Sequence, residues 1–310
     1  QILGAGPAGM SVAFYAKKNN LSFKIFEKSN SVGGNCKTIE YNGFKFDTGA
    51  HRFHDKIPSV TADIKSLMGE SLRKVSSPSK IFHNNKYINF PIEFFNVLGS
   101  LDLSTILKII SENTVKQFYP SKKTDNFRDF AYRSYGKTLA DLFLINYTEK
   151  LWGISADKLL PNISGGRLNN LGISSILREI FHKPKIVSHL DGSFYYPIYG
   201  FGTIFDSIKN RLENKNFQMN ADITGLIHNK NTITHIIINN KDKIAAEEIL
   251  CSLPITTIIK LLEPRPPKFI QNIVDHFSFR SLTLIVIMIN KKSITENASI
   301  YFPVSNIPYT

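Results

Sequence analysis

Gln1-Ile2-Leu3-Gly4-Ala5-Gly6-Pro7-Ala8-Gly9, then Ile25-Phe26-Glu27, then Val32-Gly33-Gly34-Asn35-Cys36-Lys37-Thr38, is the stretch whose reading decides the fold. It runs apolar strand, glycine turn, helix, apolar strand, acid, and a second glycine turn. Gly4, Gly6 and Gly9 fit the G-x-G-x-x-G pattern. There the first glycine makes the tight turn, the second lets the backbone approach a pyrophosphate, and the third lets the helix pack on the strand. The spacing predicts a helix over 8–18 whose N-terminal NH groups and positive dipole end face phosphates. It also predicts a strand over 22–26 ended by Glu27, eighteen residues after Gly9, where an acid accepts hydrogen bonds from a ribose. A lone glycine pattern also occurs in ordinary strand–helix turns. Here strand, helix and acid stand in the right order, which favours the dinucleotide reading.

The bulk properties narrow the class. A chain of 310 residues, 42% hydrophobic and 20% charged, is globular and long enough for two interleaved domains. No apolar run reaches the roughly twenty residues needed to cross a bilayer. The longest candidate, Leu282-Thr283-Leu284-Ile285-Val286-Ile287-Met288-Ile289, is β-branched and reads as a buried strand. Cys36 and Cys251 are the only cysteines, which suits a reduced, cytoplasmic protein without a disulfide framework. The net charge of +13 favours anionic partners such as phosphates, but the lysines are scattered in pairs with no basic stripe interleaved with aromatics. Nucleic acid is therefore not an expected partner. The chain opens inside a strand, so a few residues are expected to precede Gln1.

Further along, residues 39–46 alternate around Asn42-Gly43, a hairpin signal, and lead into Asp47-Thr48-Gly49-Ala50-His51-Arg52-Phe53-His54. Gly49 permits close approach of the backbone to a ligand, with His51, Arg52 and His54 supplying neutral and cationic donors. A surface loop with chance histidines is the competing reading. No carboxylate or cysteine completes a ligand set there, so no metal site is expected. Apolar spacing predicts a helix over 57–68, a hairpin over 80–90 turning at Asn84-Asn85, and a mainly helical run over 92–151. In Asn146-Tyr147-Thr148-Glu149-Lys150-Leu151-Trp152-Gly153 the aromatics would stack on a ring. Otherwise Gly153 caps the helix and Trp152 lies in the core. Gly165-Gly166-Arg167 is either a mobile loop with a phosphate-binding arginine or a linker. The stretch from Tyr195 and Tyr196 to Gly202 opens a helix over 203–212, its tyrosines lining a pocket. Strands are expected over 217–238, with a turn at 229–231, over 248–253, over 279–290 and over 299–303, with a helix over 255–262.

Taken together, the glycine pattern, Gly33-Gly34-Asn35, His51-Arg52-Phe53-His54, Phe90-Pro91-Ile92, the Tyr147 to Gly153 motif, the Pro197 to Gly202 turn and the closing Ile307-Pro308-Tyr309-Thr310 resemble UDP-galactopyranose mutase. They also resemble its protoporphyrinogen-oxidase-like and amine-oxidase-like flavoprotein relatives. The glycine pair six residues past Glu27 occurs in the FAD-binding branch and is not required by NAD enzymes, so the resemblance implies FAD as cofactor. It implies an α/β fold: an FAD-binding Rossmann-like domain of glutathione-reductase type, with an inserted helical domain and a mixed-sheet substrate domain. The expected division is 1–90 and 191–265 for the FAD domain, with a substrate-facing turn at 195–202. Residues 91–190 form the helical insertion and 266–310 a substrate-domain sheet lacking its last elements, as in a fragment.

The resemblance also implies roles. Gly4, Gly6, Pro7, Ala8, Gly9, Glu27 and Lys28 would hold the ADP half, with the backbone near Ile223 bordering the adenine. Gly33, Gly34, Asn35, Gly49 and His51 would lie towards the flavin. Tyr147 looks like a uracil-stacking residue, Trp152 and Tyr196 like substrate-side aromatics, and Arg167 like the cation that meets a diphosphate. His51 and Arg167 would serve catalysis, with flavin N5 as the nucleophile. The activity implied is interconversion of the pyranose and furanose forms of a UDP-sugar, for polysaccharide synthesis, with a homodimer as the expected assembly. An FAD-dependent oxidoreductase of the protoporphyrinogen or amine oxidase type is the alternative, and a non-catalytic binding protein like the GDP-dissociation inhibitors a second.

Overall fold

A computed structural model describes residues 1–90, 101–116, 124–163, 193–304 and 306–307. The chain divides into two compact units, Gln1–Val75 with Phe194–Ile289 and Ser76–Ser193 with Asn290–Thr310.

The first unit is built on a parallel four-stranded sheet, in the order Leu250–Cys251, Ile2–Leu3, Ile25–Glu27, Phe217–Met219. These strands are short, and the two inner ones, Ile2–Leu3 and Ile25–Glu27, are the more deeply buried, as central crossover strands are. The helix Pro7–Lys18 starts at a proline, whose missing NH costs nothing at a first position. It ends with Lys17 and Lys18 in its last turn, where cations meet the negative dipole end. Asn20 then takes a φ of +56°, which asparagine tolerates.

One face of the sheet packs Ile2, Met10, Ala13 and Ile25 against Ile204, Phe205 and Ile208 of the helix Thr203–Arg211 and Leu67 and Met68 of the helix Pro58–Met68. The other face packs Leu3 and Phe26 against Leu226, Ile236 and Ile238 of a second sheet. That sheet is ordered Asp242–Ala245, Thr232–Ile238, Ile223–Asn229, Leu262–Glu263, the last pairing parallel. Met10, Leu3 and Ile25 are wholly shielded from water, and each contributes about 1.5–3 kcal/mol of burial. This three-layer arrangement is the Rossmann-like α/β core expected from the glycine stretch.

In the second unit, the hairpin Ser79–His83 and Lys86–Phe90 turns at Asn84-Asn85, both with positive φ, and Ser299–Tyr301 adds a parallel strand. Helices Leu103–Lys116, Phe127–Tyr135, Lys137–Ala140 and Asn146–Trp152 follow in chain order, with a π turn over Asp141–Ile145. Phe127, Ala131, Tyr135, Ala140, Leu144 and Ile145 form their core. Among the described residues, no helix is long and apolar enough to cross a membrane.

Two expectations need correction. The run 279–290 is not a paired strand: Leu282, Ile285 and Ile287 are 73%, 81% and 79% exposed, and no ladder engages them. Its β-branched composition favours extended backbone, but a strand is buried only where a neighbour hydrogen-bonds it and a layer covers it. Trp152 is not a core residue either, being 41% exposed, although Gly153 does cap its helix with a left-handed φ of +65°.

A β-carbon added to Gly9 would stand 1.9 Å from the carbonyl oxygen of Gly4, and neither backbone has freedom to yield. Gly9→Ala is expected to cost about 3 kcal/mol or more, seen as a fall in the urea midpoint. His83 is buried against Phe143 with no partner on Nδ1, and burial holds its pKa below 6.5. The unfolded chain therefore takes the proton more readily. The contribution of neutral His83 is whole above about pH 6.5 and is lost as the pH falls further. The urea midpoint should drop between about pH 7 and about pH 5, and His83→Phe should shrink that drop.

Candidate functional site

The site begins where two glycine turns touch. The turn at 4–9 and the turn at 33–36 are joined by Gly33 N donating to Ala5 O at 2.8 Å. Gly34, with a φ of +54°, lies so close to Gly6 that a β-carbon there would be 2.9 Å from the Gly6 Cα. The two turns meet backbone on backbone, with the Pro7 ring alongside, and Gly6 offers no side-chain cap to the helix behind it. The NH groups of Ala8 and Gly9 lie in the first turn of that helix, where intrahelical acceptors are lacking.

Glu27 faces this cradle. Its Oε2 accepts from Ala5 N at 2.7 Å, and its Oε1 accepts from Ser29 N at 2.9 Å and Ser29 Oγ at 2.7 Å. An ionised carboxylate has about four acceptor positions, so capacity remains for a hydroxyl. Residues 220–221 run alongside, with Ala221 N donating to Glu27 O at 2.8 Å, and the buried Ile223 follows two residues on. Lys28 is engaged elsewhere, its Nζ 2.9 Å from Asp222 Oδ2 at an exposed position. An uncapped helix start, two glycine turns in backbone contact and an oriented carboxylate together fit a dinucleotide cofactor.

A second wall is latched beside the glycine turns. The hairpin Thr38–Tyr41 and Phe44–Asp47 sets Thr38 opposite Asp47, and Thr38 Oγ1 donates to Asp47 Oδ1 at 2.6 Å. Asp47 also accepts from Phe201 N at 3.0 Å and from the Tyr196 hydroxyl. Gly202 N donates to Thr38 Oγ1 at 2.9 Å. Gly200 and Gly202 approach Thr38 closely: a β-carbon at either glycine would fall within 2.4 Å of it. Burial, reinforced by the Asp47 carboxylate, pushes the Tyr196 hydroxyl well above the usual phenol range. That hydroxyl is thus committed to the latch.

The loop 49–54 is held in the same way. Phe53 and Tyr195 exchange backbone hydrogen bonds of 3.1 and 2.7 Å. The Arg52 guanidinium lies 5.0 Å over the Phe194 ring, with the His54 ring on the same phenylalanine. His51 packs on Phe201, ring centroids 5.3 Å apart, and approaches Asn35 and Cys36. Gly33, Gly34, Asn35, Gly49, His51 and Tyr196 are thus gathered in one region of the first unit. Asp47, Thr38 and Cys36 are the participants that motif reading passed over. The signal for one pair was present: a hairpin centred on Asn42-Gly43 sets 38 opposite 47.

Tyr147 and Trp152 belong to the second unit. Tyr147 packs edge-on to Tyr301 with centroids 5.8 Å apart. Lys150 Nζ donates to the carbonyls of Phe302 and Val304, and burial lowers its pKa. Glu149 is a structural latch. Burial pushes its pKa up, but the Ala156 NH at 2.8 Å and Arg128 at 2.7 Å outweigh this and hold it lower than usual. Arg167 with its glycine pair, Pro91-Ile92 and 308–310 lie outside the described residues.

Residues 2–67 match the NAD(P)-binding Rossmann-like domain family. Over 179 residues the chain is 26% identical to mitochondrial protoporphyrinogen oxidase of Nicotiana tabacum, covering 55% of this chain and 36% of that protein. Among solved structures, reduced UDP-galactopyranose mutase superposes with a TM-score of 0.78 at 18% identity, over 90% of this chain and 61% of that one. Putrescine oxidase bound to putrescine superposes with a TM-score of 0.56 at 14% identity, over 89% and 62%. The chain thus spans about a third of the tobacco protein and three fifths of the mutase chain. The expected Rossmann-like α/β domain opens the chain, and the fold is like that of the mutase.

Asp47 gathers donors from three separate segments. Asp47→Ala should destabilise the first unit by about 2–3 kcal/mol and Tyr196→Phe by about 1 kcal/mol, read from urea midpoints. In the double variant the Tyr196 term should vanish, because the acceptor is already gone.

Proposed function

We propose that this chain is the FAD-binding part of a flavoenzyme, and that its reaction is the interconversion of pyranose and furanose forms of a UDP-sugar. The observation that carries the cofactor is the side-chain-free contact of Gly6 with Gly34 beside an uncapped helix start and Glu27. Gly4, Gly6, Pro7, Ala8, Gly9 and Glu27 would hold the ADP half through backbone NH groups and the carboxylate, with Ile223 near the adenine. Gly33, Gly34, Asn35, Gly49 and His51 would border the flavin. When bound, FAD supplies the redox and nucleophilic chemistry, and the chain supplies position and exclusion of water.

The sugar-nucleotide reading is supported by the mutase-like fold over most of the chain and by the exposed Trp152 five residues past Tyr147. Tyr147 and Trp152 are the aromatics offered to a uracil and a sugar ring, and Arg167 the cation offered to the diphosphate. Tyr196 contributes its ring edge rather than its hydroxyl, which Asp47 already holds. A homodimer and a reducing cytoplasmic setting belong to the same reading, the latter supported by two free cysteines. An oxidoreductase is the second reading, favoured by the tobacco protoporphyrinogen oxidase match in sequence.

Purified full-length protein is expected to carry a flavin absorbance spectrum. After dithionite reduction it should convert UDP-galactofuranose to UDP-galactopyranose, and the oxidised form should not. Flavin without conversion would move the assignment to the oxidoreductase. Glu27→Ala should weaken flavin retention by about tenfold or more through loss of charge-assisted hydrogen bonds. Full retention in that variant would remove Glu27 from the cofactor site.

A further inference from the structure

His51 is half-buried, with both ring nitrogens facing groups of its own chain. Its Nε2 lies 3.0 Å from the Asn35 carbonyl oxygen, and its Nδ1 lies 3.7 Å from Cys36 Sγ. One ring face meets Phe201, and the ring edge lies over Gly49, where a β-carbon would come within 3.2 Å of Nε2. A carbonyl oxygen can only accept, so Nε2 must carry the proton and donate it. In a neutral imidazole the other nitrogen is then an acceptor, and the group facing it is a thiol, which can donate.

We propose that Cys36 is a positioning residue for His51: its S–H donates to Nδ1 while His51 Nε2–H donates to Asn35, fixing one tautomer and tying the second glycine turn to the histidine loop. Burial, with the nearby Asp47 charge, pushes the Cys36 thiol up, so it keeps the proton it must donate. Both ring nitrogens are thereby spent inside the protein. His51 is a fixed wall beside the cofactor cradle and takes no part in moving protons. Thr48 reinforces the same joint, its hydroxyl donating to Asn35 O at 2.6 Å and its NH to Lys37 O at 3.0 Å. The tautomer stands on the geometry alone; only the consequence for flavin rests on the function proposed above.

The test is long-range ¹H–¹⁵N correlation of the imidazoles in ¹⁵N-labelled full chain, with and without FAD, for wild type, Cys36→Ala and Cys36→Ser. Wild type should show His51 as the Nε2–H tautomer with an unprotonated Nδ1 in both states. Cys36→Ala should shift the Nδ1 resonance and weaken FAD binding by about three- to tenfold, the loss of one modest hydrogen bond. Cys36→Ser, whose hydroxyl also donates, should shift Nδ1 but restore affinity to within about twofold of wild type. An Nδ1–H tautomer in wild type overturns the proposal. So does a Nδ1 resonance unmoved in Cys36→Ala or, should that variant fail to fold, unmoved in Cys36→Ser. A chain that binds no flavin yet shows this tautomer and these shifts retains the Cys36 assignment and loses the FAD reading.

Discussion

The first unit depends on backbone lying directly on backbone. Gly9 sits on the carbonyl of Gly4, and Gly34 sits on the Cα of Gly6. Each contact needs the absence of a β-carbon, and each sets something larger. The first brings the helix Pro7–Lys18 down onto its strand, so Met10 and Ala13 reach the core that also holds Ile25 and Phe205. The second stacks the two glycine turns backbone on backbone at the start of the helix.

Around this rigid centre the remaining walls are held by polar side chains that satisfy one another. Asp47 draws in Thr38, Tyr196 and the NH of Phe201; Glu27 draws in Ala5 and Ser29; Asn35 receives Thr48 and His51. Half-buried networks of this kind keep loops in one arrangement, because breaking any link leaves a polar group short of a partner. The side chains with conspicuous chemistry, Tyr196 and His51, are largely consumed as structure. What the first unit offers a ligand is mainly backbone NH groups, ring surfaces and one carboxylate.

The degree to which this was legible in the sequence follows the range of the interactions. Glycine spacing, the Asn42-Gly43 turn and the apolar stripes of the helices at 58–68 and 203–211 are local signals, and the elements lie where they point. The bond from Tyr196 to Asp47 spans 149 positions, and no local pattern announces it. Trp152 shows the same limit: the helix end at Gly153 is local, whereas exposure is decided by what packs nearby. The run 282–289 fails most plainly, since composition states a preference for extended backbone and says nothing about a partner strand. Gly33-Gly34 gained its meaning from contact with Gly6, which spacing alone does not reveal.

The order of strands in the central sheet has a consequence for how the protein is made. Ile2–Leu3 lies between Ile25–Glu27 and Leu250–Cys251, and Leu250 N bonds to Gln1 O across an interval of almost the whole chain. During synthesis the amino-terminal strand therefore waits, one edge bare, until residue 251 has left the ribosome. The helices between Phe127 and Trp152 are translated before then and pack on one another over short sequence separations, the kind of contact that forms fastest. Nascent chains carry this open sheet edge until Cys251 is made, and at about 5–20 residues per second that exposure lasts on the order of 10–50 s. The glycine turn at 4–9 is thus translated long before the strand Leu250–Cys251 that completes its surroundings, so the exposed edge lies beside that turn.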